Sequence, residues 1–251
     1  MSVEEADEDR LYSDPDLVQF YDLENECGDD FDFCLRLAQG ARSVLDLGCG
    51  TGQLAAALSP GRAVVGVDPA GAMLDVARAR PGGNDVAWIE ADAREVRLDR
   101  AFDLIVLTGH AFQVFLTPAD RKAVLETIAR HLAPHGRFIF DSRNPALERW
   151  RSWTPEQSMR VVAHPRFGDV EAWNDVRQDP ATGIVTYETF YRMREAGRTL
   201  SARSQIAFPP REEIETLMGE VGLVADKWLG DWRGAPYAPS MREIIPIGRL
   251  R

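Results

Sequence analysis

The chain has 251 residues, 45% of them hydrophobic, and a formal net charge of −11. That length and apolar content suit a large buried core and exclude a globally disordered chain. The acidic balance argues against a protein that grips nucleic-acid phosphates over a broad surface, because such binding draws on clustered Lys and Arg.

Cys27, Cys34 and Cys49 are odd in number and lack metal-ligand spacing. Neither a disulfide framework nor a metal site is expected, and a reducing cytoplasmic compartment is. The opening MSVEEADEDR is acidic and has no apolar signal core. No apolar run approaches the roughly 20 residues of a membrane helix, so no membrane partner is expected.

In chain order, residues 1–14 read as a frayed acidic tail. Over 15–39, Leu17, Phe20, Tyr21, Phe31, Phe33, Cys34 and Leu37, broken by ECGDD, predict two short helices. From 43 to about 142 the texture alternates. SVLDL, AVVGV, VAWIE, FDLIVL and RFIF read as strands, with helical stretches at 51–58, 70–79 and 118–132 and a short turn after Asp92. Near-continuous apolar strands alternating with helices predict an α/β fold with a doubly wound parallel sheet covered on both faces. Between about 155 and 207, strand-like segments are separated by DPATG and REAGR, and Val185, Tyr187, Tyr191 and Met193 share one face. These predict antiparallel hairpins inserted after the fifth strand. A helix over 210–221 and strands near 223–229 and 243–248 close the chain.

The stretch VLDLGCGTGQLA, 44–55, places Gly48, Gly50 and Gly52 between the first strand and a helix. Glycines there permit positive φ and bring a ligand close to the main chain, while the helix N-terminus offers free N–H groups. A dinucleotide or S-adenosylmethionine (SAM) both fit such a loop. The dinucleotide fingerprint is met in relaxed form by Gly50, Gly52 and Ala55, with Asp68 at the end of the second strand. Asp46 favours SAM: it is a poor neighbour for a pyrophosphate and a good one for an ammonium group. Its alternative role is to satisfy loop N–H groups. Asp92 suits an adenine amino group and the Ala93 N–H a ring nitrogen; Asp92 also suits an N-cap, as Asp68 does ahead of PAGAML. Met73 fits a ligand edge or the core.

Together these segments resemble the class I SAM-dependent methyltransferases, in their small-molecule branch. VLDLGCGTG, VVGVDPAGAML, ADAREV and FDLIVLTGHAFQVF resemble the family's first four motifs in order, and HLAPHGRFIF the run into the fifth strand. The resemblance covers about Val44 to Asp141. It implies a Rossmann-like sheet in the order 3-2-1-4-5-7-6 with strand 7 antiparallel, and SAM as cofactor. Asp68, followed by Pro69, would hold the ribose, Asp92 with Ala93 the adenine, and Asp46 the ammonium end. Gly48, Gly50 and Gly52 would line the methionine portion, and Thr108 and Met73 would complete the pocket. Tyr21, with Tyr12, would belong to a helical lid over 1–39. The SAM domain would span 40–154 and 208–251, and the hairpins over 155–207 would form an acceptor lid or homodimer contact.

Methyl transfer from a sulfonium needs alignment above all, and a base only if the acceptor arrives protonated. Acceptors in such folds lie beyond the carboxyl ends of the strands. His110 is the candidate base there, and His110, Gln113 and Arg143 are the candidate acceptor contacts. Arg143 has a competing reading as an ion pair with Asp141 or Glu148. TGHA after the fourth strand lacks the Asn/Asp-Pro-Pro run of base-amino enzymes, the Pro-Cys of cytosine-C5 enzymes and the Asp of metal-dependent catechol-type enzymes. A small-molecule N- or O-acceptor is therefore expected. An NAD-linked oxidoreductase leaves Asp46 and Asp92 unexplained, and a non-catalytic SAM-binding module stands as a further alternative.

Overall fold

The structure is a computed structural model that describes residues 10–193 and 197–251. Most of the REAGR turn lies outside the described residues. Helices α1 (Arg10–Ser13), α2 (Pro15–Val18) and α3 (Tyr21–Glu24) are followed by α4 (Asp29–Leu37). Then come β1 (Ser43–Leu47), α5 (Gln53–Leu58), β2 (Ala63–Asp68), α6 (Gly71–Ala79), β3 (Val86–Glu90) and β4 (Phe102–Leu107). After α7 (Pro118–His131) lie β5 (Leu132–Phe140), β6 (Ser142–Arg143), α8 (Pro155–Ser158) and the strands β7 (Arg160–His164), β8 (Gly168–Gln178), β9 (Val185–Met193) and β10 (Arg198–Ile206). The chain ends with α9 (Arg211–Glu220), β11 (Leu223–Leu229) and β12 (Glu243–Leu250). Residues 10–13 are thus helical where a frayed tail is expected, and a single turn at α3 replaces part of the first expected helix.

Two compact units form, one from 27–147 with 208–251, the other from 10–26 with 148–207. The larger unit holds a sheet in the order β3-β2-β1-β4-β5-β12-β11. Strands β1 to β5 are parallel, and β12 runs antiparallel to both β5 and β11. This is the expected Rossmann-like order. Alternation divides each strand between two cores. Leu45, Leu47, Val65, Val67, Ile105 and Leu107 face Val124, Leu125 and Ile128 of α7 and Ile214 of α9. Val44, Val64, Leu104 and Val106 join Ala55 and Leu58 of α5. A sheet buried on both faces needs apolar residues at successive positions, which is why these strands read as continuous runs. Pro118 and a reciprocal Thr117–Asp120 capping box start α7 cleanly.

Cys34 and Ala38 lie in the second core beside Val44 and Leu58. Their burial assigns 27–39 to the larger unit, so the break in this region falls at 26/27 instead of the expected 39/40. Among the described residues, no helix is long and apolar enough to cross a membrane.

The smaller unit is an antiparallel sheet in the order β10-β9-β8-β7. Its core gathers Leu17 and Phe20 with Val170, Tyr191, Met193 and Leu200, and the Phe20 ring stacks on Tyr191 at 4.0 Å. Glu24 ties the layers: Arg160 grips its carboxylate through two nitrogens, and the Tyr191 hydroxyl donates to it. Glu24 is only partly exposed, at 15% of its side chain. Glu24→Ala would strand a half-buried guanidinium, and is expected to cost about 2–3 kcal/mol. A thermal melt should show it as a drop of several degrees. Asp75→Ala, which breaks the exposed Arg78 pair, is the control and should stay within about 0.5 kcal/mol.

Candidate active site

The turn from β1 into α5 is held by its own main chain. The N–H groups of Gly48 and Cys49 both donate to the Val67 carbonyl, at 2.8 and 3.0 Å, and the Gly52 N–H donates to Cys49 at 2.8 Å. Gly48, Gly50 and Gly52 all have positive φ, at 66°, 53° and 74°, where only glycine is unstrained. Gly52 has a second reason. A Cβ there would lie 2.4 Å from the Trp88 ring and 2.8 Å from the Ala77 side chain. The missing side chain makes room for Trp88 beneath the loop, a packing requirement beside the expected role of Gly52 in lining a ligand. Gly66 does the same from β2: its Cβ would fall 2.5 Å from the same ring. Trp88 anchors itself by donating from Nε1 to the Gly83 carbonyl at 2.8 Å. Sequence reasoning passed over Trp88, although Gly66 is its cross-strand partner.

Three carboxylates surround this loop. Asp46, at the end of β1, is 3% exposed. Burial, then the charge of Asp68, pushes it up to about 8, against a hydrogen bond from the Ala55 N–H. Among the described residues no cationic side chain pairs with it. Asp68, at the end of β2, accepts from the Gly50 N–H at 2.8 Å on one oxygen and from the Ala70 N–H at 2.9 Å on the other. Burial raises it and those two bonds oppose the rise. Each oxygen keeps a second lone pair for a ligand hydroxyl. Asp92 differs. Arg94 bonds both of its oxygens and continues to Asp120 at 2.6 Å, and the Arg94 N–H caps the turn at 2.8 Å. The Arg94 hydrogen bonds hold Asp92 below the usual carboxylate range. The capping role is therefore realised, and an adenine amino group would share the carboxylate with Arg94. Ala93 and Met73 are buried, Thr108 is half-buried and Pro69 is exposed. Tyr21 belongs to the smaller unit, edge-on to Tyr12 with ring centroids 6.3 Å apart.

Beyond β4, the chain turns through Gly109 and His110, both at positive φ. The His110 N–H donates to Asp141 Oδ1 at 3.0 Å. Its Nε2 lies 3.0 Å from Glu243 Oε2 and 3.4 Å from Asp141 Oδ2. Burial pushes His110 down to about 4, with Asp141 and Asp30 pulling upward and Arg143 downward. Burial likewise raises Asp141, and Glu243 adds to it. Gln113 is fully buried and accepts from Arg143 Nη1 at 2.9 Å. Gln113 is thus one partner of Arg143, beside the expected pairing with Asp141 or Glu148; Glu148 itself bonds Arg151. Glu243 was missed: it is 133 residues from His110 and meets it only because β12 lies beside β5. His110, Asp141 and Glu243 bring their ligating atoms within 4.8 Å of one another. That is compact enough for a cation, but 3.0 Å is also an ordinary N–H···O distance.

Other polar and aromatic side chains outside the glycine turn make packing contacts of their own. His131 is buried with both ring nitrogens bonded, to the Thr127 carbonyl at 2.7 Å and from the Leu98 N–H at 2.8 Å. Trp173 stacks on Phe190, Trp153 meets Tyr187 edge-on and Trp232 meets Phe33.

Residues 44–136 match the family model of a methyltransferase domain. The chain is 29% identical over 207 residues to a cypemycin N-terminal methyltransferase from Streptomyces sp, covering 82% of each. Among solved structures, the CcbJ methyltransferase from Streptomyces caelestis superposes with a TM-score of 0.76 at 20% identity, over 91% of this chain and 94% of that one. The sugar N-methyltransferase KedS8 from Streptoalloteichus sp gives 0.71 at 21% identity, over 99% and 98%. At such identities the superpositions speak for the fold alone.

Proposed function

The chain is a class I SAM-dependent methyltransferase by its domain and fold, and from that premise we propose that it methylates an amine nitrogen of a small molecule. SAM supplies a methyl group on a sulfonium, whose leaving group departs as a neutral thioether. The residues around the glycine turn suit it. Asp46, buried and without a cationic partner among the described residues, matches the ammonium end. Asp68 would offer its free lone pairs to the two ribose hydroxyls, and Asp92 with Ala93 would read the adenine.

The observation that carries the amine reading is His110 among acidic groups beyond β4. An amine arrives as ammonium at neutral pH and must lose a proton before it can attack. The carboxylates of Glu243 and Asp141 beside the ring favour an acceptor that arrives as a cation, which an ammonium is and a hydroxyl is not. The names of the cypemycin and sugar N-methyltransferases agree with nitrogen as the acceptor atom in those proteins. The test is S-adenosylhomocysteine formation over a panel of amines and hydroxyl compounds of matched skeleton. Turnover confined to the amines is expected, and turnover on the hydroxyl series alone would reverse the reading. No turnover on either series, with SAM bound, would favour a non-catalytic module.

Two substitutions separate the roles. Asp68→Ala is expected to weaken SAM binding at least tenfold by calorimetry, roughly the 1.5–3 kcal/mol of hydrogen bonds to a charged group. His110→Ala should lower kcat about 100-fold, within the range for a general base, and leave SAM affinity within twofold. Equal losses in both would make His110 a cofactor contact.

A further inference from the structure

His110 and His131 use their ring nitrogens in opposite ways. At His131, Nε2 accepts the Leu98 N–H, so the proton sits on Nδ1, facing the Thr127 carbonyl. At His110, Nε2 faces two carboxylates, Glu243 at 3.0 Å and Asp141 at 3.4 Å. A carboxylate only accepts, so this nitrogen carries the hydrogen. Nδ1 of His110 then holds a lone pair, and no group among the described residues bonds it.

We propose that Glu243 and Asp141 are positioning residues that hold His110 as its Nε2–H tautomer, leaving Nδ1 to take a proton from the acceptor ammonium. This rests on the amine reading above. Glu243 fixes the ring, from the first position of β12. Asp141 fixes the backbone: its Oδ1 takes the His110 N–H at 3.0 Å and so supports a non-glycine residue at φ 63°, a conformation that persists only where its surroundings enforce it. The charged groups that face the ring are Asp141 beyond β5, Glu243 on β12, Arg143 on β6 and Asp30 on α4. In the step itself an N–H bond of the ammonium breaks and an Nδ1–H bond forms. The imidazolium so made is stabilised through Nε2–H by Glu243, and Nδ1 later returns its proton to water.

Long-range 1H–15N correlation on the labelled protein reads the tautomers directly, since the chain has 4 histidines and His131 serves as the internal reference of opposite hand. The expected spectrum has His110 protonated at Nε2 with a bare Nδ1. Glu243→Leu should mix the His110 tautomers, leave His131 alone and lower kcat about tenfold, with KM for the amine within twofold. Glu243→Gln, whose carbonyl still accepts, should restore the Nε2–H tautomer and most of kcat. An Nδ1–H tautomer in the unsubstituted protein would overturn the proposal, as would a His110 signal indifferent to Glu243→Leu. Micromolar Zn2+ that moves Nε2 of His110 alone would overturn it too, because that nitrogen would then be a ligand. The tautomer is read without acceptor, so a failure of the amine reading appears in the acceptor panel and a failure of this one in the spectrum.

Discussion

Gly52→Ala is expected to cost roughly 2–5 kcal/mol of stability, the sum of a left-handed backbone penalty and overpacking. Both parts are visible at the site. The φ of 74° disfavours any Cβ, and that Cβ would meet the Trp88 ring at 2.4 Å and Ala77 at 2.8 Å. Neither neighbour can yield easily, because Trp88 is tied to Gly83 and Gly66 blocks the ring from β2. Gly61→Ala is the matched control. Its φ is also 74°, but nothing lies within 4 Å of the added carbon, so it carries the backbone penalty alone, about 1–2 kcal/mol. Urea midpoints of the two variants should differ by the clash. In the pair Gly52→Ala with Trp88→Leu, part of the loss should return as a coupling energy, which a double-mutant cycle measures. Equal losses at positions 52 and 61 would show that Trp88 does not define the underside of the loop.

Asp46→Asn should change the pH dependence of the free protein. With its folded pKa near 8, against an ordinary value near 4, Asp46 holds its proton more tightly folded than unfolded. Its contribution to stability is complete below about pH 4, declines as pH rises towards 8 and is lost above that. Asparagine has no proton to lose there and can still accept the Ala55 N–H. The variant should match the parent near pH 4 and exceed it increasingly up to about pH 8, by about 2 kcal/mol or more. Melts across that interval, with the parent curve subtracted, give the difference. SAM should reverse the order: its ammonium compensates an ionised Asp46 but not the amide, so the variant should bind it at least tenfold more weakly, the worth of one charge-assisted bond. A difference curve flat with pH would show that Asp46 is ionised throughout.

The sheet was legible because its order follows from local signals. Continuous apolar strands, alternating helices and the right-handed crossover rule leave few arrangements for Ser43 to Phe140. The carboxylates at strand ends were legible for the same reason: Asp46 and Asp68 are placed by the strand that carries them. Glu243 was not, since a lone Glu in SMREIIPIG has no periodic signature and gains its meaning only when β12 docks beside β5. The Arg94 hold on Asp92 was likewise hidden, because side-chain pairing two residues apart depends on a turn geometry that composition does not specify. Cys34 shows a third kind of loss. Its apolar neighbours read as a helix, but which core receives that helix depends on Val44 and Leu58.

The smaller unit is assembled from two stretches far apart in the chain, with Asp16 bonded to Arg198 across 182 positions and Glu24 to Tyr191 across 167. On the ribosome, the early stretch leaves the exit tunnel long before its partners exist. At synthesis rates of about 5–20 residues per second, Leu17 and Phe20 wait on the order of 10–40 s for the strands that cover them. The larger unit does not share this delay along β1 to β5, whose neighbours follow one another closely. Newborn chains therefore carry an uncovered apolar segment while the larger sheet is already taking shape, and binding by a holdase chaperone during synthesis should map to residues 15–24.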